Sequence, residues 1–226
     1  KLAGLYENPI HVTDIDEADA KLILEKVEAY GNWTRLGKLS SKDQIHELTE
    51  RSNKQLLIAL LEATEGRGFE QIIESDYESL GTKAHKAFLT VVGLATVHRT
   101  TTSFRHANRA LKYMGVIGSA ERLAQEMVGI ISIHGDNIQV RHPLYARHLF
   151  EKVVDPVDIS EAIKGNLHAF TAYKSPIIQH VPKSQAVFYK GILNHNFLRD
   201  MLKGKRQLIL GVYANFEKSF ENDGLY

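Results

Sequence analysis

Ile130-Ile131-Ser132-Ile133, the turn residues Gly135-Asp136-Asn137 and the segment Ile138-Gln139-Val140 decide how this chain folds. Apolar and polar side chains alternate on both sides of a glycine-bearing turn, which is the pattern of a β-hairpin. Upstream, Lys83 to His98 is apolar nearly all round and predicts a buried helix. Thr100-Thr101-Thr102-Ser103 offers cap residues for a second helix over Phe104 to Met114. Gly115 and Gly118 then punctuate, and Ser119 caps a third helix over Ala120 to Val128. Three helices followed by a hairpin of this size is the order of a winged helix. Pro143 to Val154 restarts a helix directly behind the wing.

Working outward, Thr13 is the expected cap of a helix with an acidic first turn, Asp14, Asp16 and Glu17. Leu22, Val27 and Tyr30, with Ile23 beside them, form its expected apolar face, and Gly31 stops it. Ser40-Ser41 opens a second helix carrying Ile45 and Leu48. Asn53 to Glu65 is apolar almost all round and should be buried, and Phe69 to Tyr77 adds an amphipathic turn or two. Beyond Pro156 the pattern is helical throughout: Ser160 to Tyr173, Ser184 to Leu202 and Arg206 to Phe220. Such helix pairs suit a helical-repeat array, although no second copy tests the period. Boundaries are expected at Leu80-Gly81-Thr82 and Val154-Asp155-Pro156. The expected fold is therefore mainly α: a helical segment over 1–80, a winged-helix domain with a small β-hairpin over 81–155, and a repeat-like helical segment over 156–226.

Composition narrows the function classes. The 226 residues carry 28 Lys+Arg against 27 Asp+Glu, so charge alone gives no support for broad binding to nucleic acid or anionic membranes. Without cysteine there is no disulfide scaffold and no thiolate zinc site, which fits an intracellular protein. The longest central apolar run, Ala87 to Ala95, falls far short of the ~20 residues that span a bilayer. No signal peptide opens the chain, so a cytoplasmic location with no membrane partner is expected. The start at Lys1 and the stop just after an amphipathic pattern read as cuts, so a piece of a larger protein is expected.

The motifs that carry chemistry are few. Gly31-Asn32-Trp33-Thr34-Arg35-Leu36-Gly37-Lys38 resembles a phosphate loop but puts five residues between its glycines, where a Walker A loop has four. Lys38 is followed by Leu39 and not by Ser or Thr, so the segment reads as an interhelical loop packed by Trp33. The eleven histidines show no metal-ligand spacing, and His142 and His148, six apart, fall on opposite sides of a helix. No catalytic residue and no metal ligand emerges, and no Gly-x-Ser-x-Gly elbow is present. Ser119 to Val128 could enter DNA as a recognition helix, but Glu121, Arg122, Gln125 and Glu126 nearly cancel in charge, which favours protein packing. A DNA-binding regulator with a helical dimerisation tail is thus the alternative reading. The strongest local signal is Arg141-His142, where a strand leaves the wing and a helix begins. Spacing alone supports two readings equally: a phosphate contact held on rigid elements, or a capped, solvent-exposed basic turn.

Asn53-Lys54-Gln55-Leu56-Leu57-Ile58-Ala59-Leu60-Leu61-Glu62-Ala63-Thr64-Glu65-Gly66, followed by Phe69 and Ile72-Ile73, resembles the nucleotide-binding lid of prokaryotic STAND-type NTPases, relatives of NACHT and apoptotic-ATPase proteins. Leu36-Gly37-Lys38-Leu39 precedes that helix in the same order. Arg141-His142 with Tyr145-Ala146 is similar to the winged-helix pattern of the class, and Gly211 to Asp223 resembles the entry into a tetratricopeptide-like sensor. The resemblance implies a lid over 1–80 and a winged helix that together clamp ADP or ATP. A P-loop core outside this sequence would hold the magnesium. It implies His142 beside the β-phosphate, with Arg141 next to it, and Asn53, Gln55 and Leu56 near the base. The family usually has a Gly-x-Pro turn at that last position, where this chain has Asn53-Lys54-Gln55. Further implied are an N-terminal effector, a target protein or nucleic acid read by C-terminal repeats, homo-oligomerisation on activation, and a role in antiphage defence. With no Walker A or Walker B element, this segment should not hydrolyse ATP by itself.

Overall fold

The computed structural model describes residues 15–30, 39–51 and 69–220. The chain is mainly helical with one small antiparallel sheet, and it divides into two compact units, Lys1–Ile72 and Ile73–Tyr226.

In the first unit, α1 spans Glu17–Tyr30 and α2 spans Ser41–His46, continuing as a wider π turn through Arg51. Asp16 and Asp19 each accept the other's backbone N–H (2.8 and 3.3 Å), which closes a reciprocal cap at the start of α1. The cap expected at Thr13 lies outside the described residues. Ser40 caps α2 by accepting the Asp43 N–H at 3.3 Å. Ile15, Ala20, Leu24 and Leu48 form the buried cluster, flanked by Ile23, Leu39 and Ile45. Leu22 is 59% exposed and not part of the apolar face assigned to it, because Ala20, Ile23 and Leu24 set the buried direction. The phosphate-loop-like segment and the helix expected over Asn53 to Glu65 lie outside the described residues.

Helix α3, Phe69–Ser79, runs across the division between the units. In the second unit, α4 (Lys83–Val97) starts at the Thr82 cap and is buried at every position from Phe88 to Thr96. It is followed by β1 (Thr102–Ser103), α5 (Phe104–Tyr113, capped by Ser103) and α6 (Ala120–Glu126, capped by Ser119). Strands β2 (Ile131–His134) and β3 (Asn137–Val140) form the hairpin, and the sheet order is β1-β3-β2. The hairpin pairs Ile131 with Val140 and His134 with Asn137, so the turn is the two residues Gly135-Asp136, with Gly135 at φ +61° as such a turn requires. Three helices and a hairpin thus appear in the expected order. The strand β1, which pattern reading left out, pairs antiparallel with the outer side of β3. Thr96 ties the sheet to α4: its hydroxyl accepts the Val140 N–H at 2.9 Å and donates to the Val92 carbonyl at 3.2 Å.

Behind the hairpin come α7 (Pro143–His148), which continues as a π turn to Val153, and α8 (Pro156–Phe170). Asp155 caps α8 and Pro156 begins it, so the helix starts four residues before the expected Ser160. A Cβ on Gly165 would lie 3.0 Å from the Ala110 carbonyl, which shows how closely α8 crosses α5. That packing runs across Val154-Asp155-Pro156, and the residues on either side of this point belong to one compact unit. The remaining helices are α9 (Ile177–His180), α10 (Lys183–Ile192), α11 (His195–Met201) and α12 (Arg206–Phe220). The single helix expected over Ser184 to Leu202 is two. Asn194 turns its side chain to accept the Phe197 N–H at 3.1 Å and starts a new helix there. No helix among the described residues is long and apolar enough to cross a membrane.

Candidate anion-binding cleft

The end of α4 and the start of α7 frame a cleft of about 460 Å³ lined by Thr96, Val97, Arg99, Thr100, Gln139, His142, Pro143, Leu144 and Arg147. Arg99 enters it from an unusual backbone. Its N–H donates to Thr96 (2.9 Å) and the Thr100 N–H donates to Ala95 (3.0 Å), the paired bonds of a Schellman stop. Arg99 occupies the left-handed position of that stop, φ +54°, where glycine is the usual residue. A side chain there costs about 1 kcal/mol. Such strain is a feature that functional sites tolerate.

His142 is the cap of α7. Its Nδ1 accepts the Leu144 N–H at 3.1 Å, which places the proton of the neutral ring on Nε2 and makes that nitrogen a donor. Burial lowers its pKa below the ordinary histidine value, so the neutral form that can cap the helix is favoured. Arg147 lies one turn along, with a loose 3.8 Å contact to Glu151. The lining thus holds two guanidinium groups, an imidazole N–H donor and the Gln139 carboxamide, and no carboxylate. This donor set suits a phosphate.

Arg141 and His142 are adjacent in sequence but are held by different partners. Arg141 Nη2 donates to Asp76 at 2.8 Å and Nη1 to the Gly129 carbonyl at 3.2 Å, while the guanidinium sits 4.4 Å over the Tyr145 ring. The buried Tyr145 hydroxyl donates to the same Asp76 oxygen at 3.1 Å. Burial, with Asp76 nearby, pushes the Tyr145 pKa up, so the phenol stays protonated as a donor. Arg141 therefore holds the end of α3 against the wing, and Arg99 and Arg147 are the guanidinium groups beside His142. Sequence reasoning missed both of these, and Asp76 as well. The expected nucleotide contacts Asn53, Gln55 and Leu56 lie outside the described residues.

On α6, the helix considered for DNA reading, Glu121, Arg122 and Glu126 are engaged within the unit. Asn108 donates to both Glu121 oxygens (3.0 and 3.1 Å), and Arg122 pairs with Glu126 (2.7 Å), which also meets His85 (2.9 Å). Among the described residues no three of His, Asp and Glu come together as a metal site. No protein-family model, curated protein or solved structure matches the chain.

Proposed function

We propose that this chain is the regulatory lid and winged-helix portion of a STAND-type NTPase, a cytoplasmic signalling protein whose cleft at Arg99, His142 and Arg147 binds the phosphates of ADP or ATP. The observation that carries the reading is the carboxylate-free lining of that cleft, with His142 presenting an Nε2 donor beside two arginines. The nucleotide is shared with a P-loop core that also holds magnesium, and the C-terminal helices lead into a sensor for a target protein or nucleic acid. Opening the clamp lets the protein oligomerise and activate an effector in antiphage defence.

Magnitudes set what the cleft can contribute. Moving a two-state switch from 1:99 to 99:1 needs about 5.5 kcal/mol of differential binding. One charge-assisted phosphate contact contributes roughly 1.5–3 kcal/mol, so His142 alone falls short, and two such contacts, about 3–6 kcal/mol together, meet the requirement only at their upper end. The P-loop core supplies the rest.

The test is the nucleotide content of the full-length protein, purified without added nucleotide, denatured and resolved by ion exchange. Near-stoichiometric ADP in the wild type and its loss in His142→Ala is the expected result. Unchanged ADP in the variant, or no nucleotide and no uptake in the wild type, overturns the reading.

A further inference from the structure

Helix α5, Phe104–Tyr113, contains three cations and no acidic residue. Arg105, Arg109 and Lys112 fall within about 60° of one another around its axis and rise over about 10 Å. Its opposite side, His106, Ala107, Ala110 and Leu111, is buried. Some helical cations on other helices are matched locally, Lys21 with Glu17, Arg122 with Glu126 and Lys164 with Glu161. None of the three cations on α5 has an ion-pair partner among the described residues.

The two ends of this row differ. Along the Arg105 side a cleft of about 430 Å³ is lined by all three cations together with Glu121 and Asp136, which oppose an anion there. At the other end a cleft of about 390 Å³ is lined by Arg109, Lys112, Tyr113, His168, Thr171 and Ala172, with no carboxylate. Here the Tyr113 and His168 rings stack, centroids 4.7 Å apart and planes 26° from parallel. Both are exposed, and the Tyr113 hydroxyl accepts from Asn215 Nδ2 at 2.7 Å, which fixes the ring in place.

We infer that this end of α5 is a binding surface for single-stranded nucleic acid, with Arg109 and Lys112 on the backbone phosphates and a base against the Tyr113–His168 ring pair. Cations for phosphate beside an exposed aromatic face is the pairing by which single strands are held without sequence readout. An acidic peptide would use the cations but has no need of the rings. The surface is distinct from the Arg99–His142 cleft and does not depend on the nucleotide-switch reading.

The experiment is fluorescence anisotropy of a labelled oligothymidylate of about 12 nucleotides with the whole chain, across roughly 50–200 mM salt. The expected result is binding that weakens with a log–log salt slope of about −1.4 to −2, as two to three phosphate contacts dictate. Arg109→Ala with Lys112→Ala should weaken it at least tenfold. Tyr113→Leu should weaken it at least fivefold, and Tyr113→Phe, which keeps the ring and loses only the Asn215 bond, by less than that. Circular dichroism confirms that each variant folds. No binding below about 100 µM at the lowest salt overturns the proposal, as does an affinity indifferent to the Arg109/Lys112 change. Displacement by poly-glutamate, with Tyr113→Leu unaffected, overturns it in favour of an acidic protein partner.

Discussion

Arg99 shows how one residue can be placed at a cost to folding. A Schellman stop leaves its left-handed position open to glycine, and the end of α4 puts a long cationic side chain there. Replacing Arg99 with glycine should relieve the strain and stabilise the fold by up to about 1 kcal/mol, partly offset by the greater entropy of the unfolded glycine chain. The same change should weaken phosphate-ligand binding at the cleft about tenfold, the smaller end of a charge-assisted contact. Thermal unfolding read beside calorimetric titration with ADP checks both halves. A variant that loses stability and keeps its affinity would show that Arg99 packs rather than binds. His142 differs in kind, because its capping bond to Leu144 and its Nε2 donor belong to the same tautomer. Ordering the helix and presenting the donor are therefore one requirement on that ring.

At the scale of elements, the Asp76–Arg141–Tyr145 group holds the C-terminal part of α3 against the hairpin's exit. Asp76→Ala leaves the Arg141 guanidinium and the buried Tyr145 hydroxyl without their shared acceptor. The expected cost is about 1–3 kcal/mol, the penalty for an unsatisfied, partly buried donor. Urea unfolding of the single variants and of Asp76→Ala with Arg141→Ala checks it, since the double change should cost less than the sum of the two. Nothing local in the sequence announced this group. Asp76 lies 65 and 69 residues before Arg141 and Tyr145, and the pattern around Asp76 reads only as an amphipathic turn. The hairpin, by contrast, was legible because alternation and a glycine turn are properties of adjacent residues. The break at Asn194 lies between these cases: the capping residue was visible, but the flanking side chains all tolerate a helix, so only tertiary packing selects the break. The same distinction applies to the cleft. His142 stood out beside Pro143, whereas Arg99 and Arg147 are ordinary surface arginines until the ends of α4 and α7 meet.

Across the second unit, two neutral histidines join the winged segment to the C-terminal helices, and they set an acid limit on its stability. His106, 3% exposed, meets Asn166 Oδ1 at 3.0 Å through Nε2 and lies edge-on to Phe170. Asn166 in turn donates to the Val91 and Ala162 carbonyls, at 3.3 and 2.9 Å, so α4, α5 and α8 share one buried polar node. His98 lies 4.5 Å from the Phe197 ring at the end of α4. Burial lowers the pKa of each to about 4; for His106 the Asn166 bond opposes that shift and Arg109 adds to it. The folded value thus lies below the unfolded one near 6.5, and between the two the unfolded chain binds more protons. Stability from these rings is fully present above pH 6.5 and is lost progressively as pH falls towards 4. For His106 the loss is on the order of 3 kcal/mol. Urea midpoints at pH 7.5 and about pH 4.5 should therefore separate widely in the wild type. His106→Leu with His98→Leu should lower the midpoint at neutral pH, where the Asn166 bond is lost, yet narrow the gap between the two pH values. A gap that survives both substitutions would assign the acid limit to other groups and leave the node a purely structural one.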